Sequence, residues 1–330
     1  MRRLAIAAAT LLALSGCQQD KAQEEAARLE EVVLTSGQPL DCTSALGEAG
    51  VIICADSDLR ALDRQVAELW NEVSTLTGRP TTLARRHADW LAGRDEGERD
   101  WQTGEVRPRT RDELLEYHRA YIEILTEERR LAEAVPDQSP VSALAGGCIG
   151  SALRSCQAPA AGYVSAADGR RLAWQIQTGS TDWAGISAGL ILFAVDGDVL
   201  RPVGWSFEAV NFDAPVLFER DDGIFVAAEG VLAGTGSGNA DLLFRLDGAG
   251  LTEIEVESWK EDLAAELPDG FGVWKGVNYS WPEMFARSGV WRDDDGNCCP
   301  TGGEAVMDLH VEGTSLRMTG LDFTPARDDR

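Results

Sequence analysis

The period of the apolar residues changes once along this chain, and that change constrains the fold more than any other feature. From Cys42 to about Leu131 apolar positions recur every three or four residues; from Arg170 onward they fall in short alternating or continuous runs. In the first region Leu59, Leu62, Val66, Leu69, Val73 and Leu76 form one helical stripe, with Asp56 or Asp58 as its cap and Gly78 before Pro80 at its end. A second helix carries Leu83, His87, Trp90 and Leu91. A third follows Pro108, with Thr110 as cap and Glu113 three residues on, then Leu114, His118, Tyr121, Ile122 and Leu125. In the second region Asp-Gly pairs stand at 168, 196, 222, 247, 269 and 295, between runs such as Leu172 to Gln177 and Leu190 to Val195. Asp-Gly tolerates the positive φ of tight hairpins, so the spacing predicts successive hairpins. Leu251 to Glu257 reads as a half-wet strand with Glu253, Glu255 and Glu257 on the solvent side, and Trp259 to Leu267 as a helix.

The fold class expected is therefore multidomain α and β: a small disulfide-containing helical bundle followed by a mostly antiparallel β domain, a meander or a sandwich. The segments are 1–16 (signal peptide), 17–39 (tether), 40–131 (helical domain), 132–147 (a Pro- and Gly-containing linker), 148–323 (β domain) and 324–330 (tail).

The N-terminus sets the compartment. Arg2 and Arg3 precede an apolar run, Leu4 to Leu14, too short to span a bilayer, and then Leu14-Ser15-Gly16-Cys17. That ending resembles a bacterial lipobox, which implies lipidation of Cys17 and a membrane partner through the anchor. Gln18 after the cysteine implies the outer membrane, facing the periplasm or the surface. The remaining six of seven cysteines, Cys42, Cys54, Cys148, Cys156, Cys298 and Cys299, are then expected as disulfides. Cys42 and Cys54 are local to each other. A bond between the adjacent Cys298 and Cys299 would close a small ring with a distorted or cis peptide. The expectation is Cys42 with Cys54, and two long bridges joining Cys148 and Cys156 to Cys298 and Cys299.

Within the helical region Asp41-Cys42, Glu48 to Cys54, Leu59, Leu62-Asp63, Trp90-Leu91, Arg94-Asp95 and Tyr121-Ile122 together resemble the lysozyme-inhibitor LprI-like family of small secreted helical domains. The resemblance covers about 90 residues. It implies a helical fold and inhibition of lysozyme, a cationic partner suited to a chain of formal charge −25. The same charge disfavours nucleic acid. For the specific contact, the Gly93 to Arg107 loop and the acidic positions Glu113, Glu116, Glu123 and Glu127 are the candidates.

Catalytic and metal signals are thin. Gly185-Ile186-Ser187-Ala188-Gly189 matches the G-x-S-x-G nucleophile elbow in letters, with His310 downstream, but a strand is expected after it where the elbow needs a helix. Gly234 to Asn239 lacks the lysine of a phosphate loop. Asp293, Asp295, Asn297 and Glu304 take positions 1, 3, 5 and 12 of a calcium loop, with Cys298 where its glycine belongs, so an acidic turn is preferred. His87, His118 and His310 have no metal-ligand spacing. Trp174, Trp205, Trp259, Trp274, Trp281 and Trp291 are expected mostly in the core, with an aromatic groove for glycan as the alternative. The expected function is an envelope binding module without cofactor, a lysozyme inhibitor in the leading form. The alternatives are a structural or sensory protein whose β domain binds a glycan, peptide or protein, and a serine hydrolase using Ser187.

Overall fold

The computed structural model describes residues 37–44, 46–77, 81–99, 106–181, 185–234, 238–248 and 250–326. The signal peptide, Cys17 and most of the tether lie outside the described residues. The chain divides into two compact units, 1–129 and 130–330.

The first unit holds α1 (Glu48–Ala55), α2 (Ser57–Leu76), α3 (Thr81–Glu96), the short pair β1 (Glu98–Arg99) and β2 (Val106–Arg107), and most of α4 (Arg111–Ala134). The caps are the ones the sequence writes. Asp56 accepts hydrogen bonds from the amides of Asp58 (2.8 Å) and Leu59 (3.0 Å). Glu113 accepts from the Thr110 amide at 2.8 Å, and its own amide lies 3.4 Å from Thr110 Oγ1, a reciprocal capping box. The helical stripes meet in one core of Val66, Leu69, Trp70, Val73, Leu83 and Leu125. Ala49, Ile53, Leu59 and Leu114 make a second cluster, clipped by the Cys42–Cys54 disulfide.

The second unit opens with β3 (Ser139–Pro140) and a 3-10 turn, Val141–Ala145. Then come β4 (Arg154–Ser165), β5 (Arg171–Thr181), β6 (Gly185–Asp196) and β7 (Val199–Ala209), joined antiparallel in the order β3-β7-β6-β5-β4. A ribbon pairs β8 (Asn211–Phe212) with β11 (Gly230–Val231), and brackets β9 (Val216–Arg220) and β10 (Gly223–Ala228). With β12 (Leu242–Asp247) and β13 (Gly250–Ile254) these form a second sheet, β13-β12-β10-β9. After α5 (Trp259–Glu266), β14 (Phe271–Gly272), β15 (Asn278–Ser280), β16 (Phe285–Arg292), β17 (Gly303–Glu312) and β18 (Ser315–Pro325) make the third. Asp-Gly pairs close the β4–β5, β6–β7, β9–β10 and β12–β13 hairpins, and Gly169, Gly197, Gly223 and Gly248 take positive φ there.

The three sheets stack in chain order. Phe225, Ala227 and Leu243 of the middle sheet pack on Ala286, Met307 and α5. The opposite-facing Val226, Ala228 and Phe244 pack on Leu172, Leu190 and Leu192 of the first sheet. The first sheet's far face covers Ile191, Phe193 and Leu200 with Leu131, Val135 and Leu144. Covering on both sides explains why Leu190 to Phe193 is apolar without alternation. The antiparallel β region agrees with the sequence reading, and its form is a stack of curled meanders.

Several expectations are corrected. The expected linker, 132–147, supplies core residues, because Val135, Val141 and Leu144 between its prolines and glycines are apolar. It is pinned to β5 by Gln175 Nε2, which donates to Leu144 O at 3.4 Å and Gly147 O at 3.2 Å, and just beyond it Gln175 Oε1 accepts from the Ile149 amide at 2.8 Å and Gln177 Nε2 donates to Ile149 O at 2.9 Å. That pinning brings Cys148 beside Cys156, and the two form a local disulfide, Cα–Cα 6.2 Å. Cys298 and Cys299 bond to each other, with their Cα atoms 3.8 Å apart, and no described peptide bond is cis. The two long bridges are thus replaced by short ones; the middle sheet separates the strands that would have carried them. β4 was hidden by Pro159, which an edge strand tolerates. Glu255 is buried, so the Glu253 to Glu257 face is not uniformly wet.

Candidate functional site

One cleft in the second unit collects polar side chains, Asn211, Asp213, Glu229, Asn239, Asp241 and Asn278. It encloses about 590 Å³ between the β8–β11 ribbon, the segment before β12, the segment entering β15, and β16 with its following turn. Gly230 lets the ribbon close: a Cβ there would sit 2.3 Å from the Ala240 carbonyl oxygen. Asn239 holds the two central segments together. Its Oδ1 accepts from the Val277 amide at 2.9 Å, and its Nδ2 donates to Val277 O at 2.7 Å and to Asp241 Oδ2 at 2.7 Å.

Asp241 is 7 % exposed. Burial pushes its carboxyl up to about 7, reinforced by the charge of Glu229 and only partly offset by the Asn239 donor. At neutral pH it is therefore both acceptor and donor. Asp213 and Glu229 supply exposed carboxylates, Asn211 and Asn278 exposed amides. Trp291, 3 % exposed, backs the wall and stacks at 5.8 Å on Trp274, which lies outside the lining and is 47 % exposed. Tyr279 is fixed beneath: its hydroxyl accepts from Trp259 Nε1 at 3.0 Å and donates to Val256 O at 3.1 Å. Cys298 and Pro300 form the rim, and among the described lining residues none is basic.

No family model matches the chain, and no curated protein matches it.

Of the residues singled out by sequence, Asn239, Trp291 and Cys298 line the cleft and the catalytic and metal candidates go elsewhere. Ser187 lies inside β6, buried, with Oγ donating to Phe207 O at 3.1 Å; strand runs through it, and no elbow forms. His310 is on β17, in another sheet. Asp295 braces its own turn, accepting from the amides of Arg292 (2.8 Å) and Thr301 (2.7 Å). Asn297 binds Lys275 and Glu304 pairs with Arg287 at 3.0 Å, so the four calcium-pattern residues, Asp293 included, do not converge. Among the described residues no group of three or more His, Cys, Asp or Glu could hold a metal. Of the expected Gly93 to Arg107 loop, Gly93 to Glu96 continue α3, because Arg94 is anchored there by Asp63, and 100–105 lie outside the described residues; Glu98–Arg99 pair with Val106–Arg107, and Arg107 ties to Glu98 and Glu113. Arg107, with the Thr110 donors, holds the Glu113 carboxyl down to about 2. Trp259 and Trp281 are core, as expected; Trp291 is also buried but lines the cleft, and Trp274 is exposed outside that lining.

The residues behind the family resemblance form a buried framework in the first unit. Asp63, 4 % exposed, accepts from the Leu40 amide at 2.6 Å and from Arg94 Nη1 at 3.0 Å. Arg94 also forks onto Asp95 (2.8 and 3.0 Å) and lies over the Trp90 ring. Trp90 stacks on Tyr121, whose hydroxyl meets His87 Nδ1 at 2.8 Å, and His87 lies flat on Trp70 at 4.0 Å. No local pattern marks Asp241, and Asn239 meets its partner Val277 only across 38 residues. The usable signal was the Gly234 to Asn239 stretch, whose Gly238 and Asn239 line the cleft.

Proposed function

We propose that this chain is an exported binding protein, anchored through a lipidated Cys17 at the outer membrane, whose β-domain cleft takes an uncharged, hydroxyl-rich ligand, a glycan. The observation that carries this is the lining. Asp213 and Glu229 accept, the Asn211 and Asn278 amides donate and accept, Asp241 does both near neutral pH, and the buried Trp291 backs the wall. Sugar hydroxyls need that mixture, and an anionic ligand would meet carboxylates without a counter-cation.

The test is calorimetric titration of the oxidised protein with a neutral N-acetylglucosamine trimer and with a uronic-acid trimer. Neutral sugar should bind, uronate should not, and Asn278→Ala should weaken binding about tenfold, about 1.4 kcal/mol. No heat with either sugar overturns the glycan reading.

A second reading is lysozyme inhibition by the helical unit. Its support is that the family-like residues Asp63, Arg94 and Asp95 assemble into one framework, while Glu116 and Glu123 remain exposed on a chain of charge −25. Inhibition that survives physiological salt and disappears with Glu116→Lys and Glu123→Lys would support it; equal, salt-labile binding to any cationic protein would not.

A further inference from the structure

The three disulfides differ in what they can do for the fold. Cys42–Cys54 spans twelve residues and Cys148–Cys156 eight, and each fastens packed elements. Cys298–Cys299 spans one. A bridge stabilises chiefly by removing conformations from the unfolded chain, so one between neighbours contributes almost nothing by that route. Both of its cysteines are exposed, whereas Cys54, Cys148 and Cys156 are partly covered. Exposed bridges are the readily exchanged ones.

Its position gives exchange a target. Cys298 lines the cleft. The same turn lays Pro300 over β16: a Cβ on Gly289 would be 2.6 Å from Pro300 Cγ. The turn is also held by the Asp295 brace at one end, by Gly302, whose amide donates to Val290 O at 2.7 Å, at the other, and between them by Lys275 on Asn297 and by the Cys299 amide donating to Gly296 O at 3.0 Å. Between those anchors the adjacent bridge is the covalent tie.

We propose that Cys298–Cys299 is a reversible redox site on the cleft wall, opened by a dithiol reductant and closed by a disulfide oxidant. One thiolate of the reductant attacks a sulfur of the pair, the Cys298–Cys299 bond breaks, and one cysteine leaves as thiolate. The second thiol of the reductant then attacks the mixed disulfide, closing its own disulfide and releasing the other cysteine. Two electrons pass, and two protons end on the cysteines. Reduced, the 296–300 turn loses its covalent tie and the wall beside Trp291 loosens. The effect on ligand binding rests on the glycan reading; the redox order does not.

The experiment equilibrates the full chain with graded ratios of reduced to oxidised dithiothreitol, quenches with a thiol alkylator, and maps modified peptides by mass. Cys298 and Cys299 should take two alkyl groups at ratios at least tenfold less reducing than those opening the other two bridges. Simultaneous opening, or opening of this pair last, overturns the proposal. Hydrogen exchange reads the wall: amides of 296–299 should exchange faster on reduction, and a Cys298→Ser, Cys299→Ser protein should show the fast rate at every ratio. Unchanged exchange overturns the claim that the bridge holds the wall. Saccharide titration of the reduced protein is separate: no sugar binding in either state sinks the glycan reading while leaving the redox order measured.

Discussion

Two buried aspartates, one in each unit, are covered to almost the same degree and carry opposite charge tendencies. Asp63 is 4 % exposed and Asp241 7 %. For Asp63 burial opposes the charge, yet the nearby His118 ring, the Leu40 amide and the Arg94 cation together hold its carboxyl below the ordinary value. For Asp241 burial again opposes the charge, and its only described side-chain partner is the neutral Asn239. Depth is therefore a poor guide to role. A buried carboxylate with a cation and an amide is part of the frame, whereas one given a neutral partner and a neighbouring carboxylate leaves chemistry over for a ligand.

The sharpest way to break this comparison is to delete the frame. Asp63→Ala leaves Arg94 buried on the exposed Asp95 alone, and should cost about 3–5 kcal/mol in urea unfolding. A loss under about 1 kcal/mol would mean that Asp95 suffices and that Asp63 is not structural.

Asp241 should behave in the opposite sense. Its folded pKa lies above the unfolded value, so the protonated form favours the native state. That stability is whole below the unfolded pKa near 4 and is lost as pH rises through about 7. Asp241→Asn removes the loss. Relative to the unchanged protein it should gain on the order of 3 kcal/mol between pH 4 and pH 8, read as the difference between their urea midpoints. A difference that does not grow with pH would show Asp241 ionised without penalty.

The smallest expected effect tests local signals. Thr110→Ala removes the hydroxyl of the capping box and should cost about 1 kcal/mol, with the β-domain cleft unaffected in sugar titration.

These elements also show how much was legible beforehand. The Asp56 and Thr110 caps, the Leu59 to Val73 stripe and the Asp-Gly hairpins were readable because each rests on contacts within a few residues. The linker and the cysteine pairings were misread because both depend on partners far along the chain: Gln175 and Gln177 decide where Cys148 lies, and no local pattern announces them. The cleft was invisible for the same reason, since Asn239 meets Val277 across 38 residues.

What the sequence determined by itself is the order of helical and antiparallel regions, the hairpin turns, the acidic charge and the set of cysteines outside Cys17. Periodicity, turn chemistry and composition are properties of short stretches. Only the tertiary structure decided the stacking of three sheets, the short disulfides and the gathering of Glu229, Asp241 and Trp291 around one space. Those follow from which faces bury each other, and burial is settled by the whole chain at once.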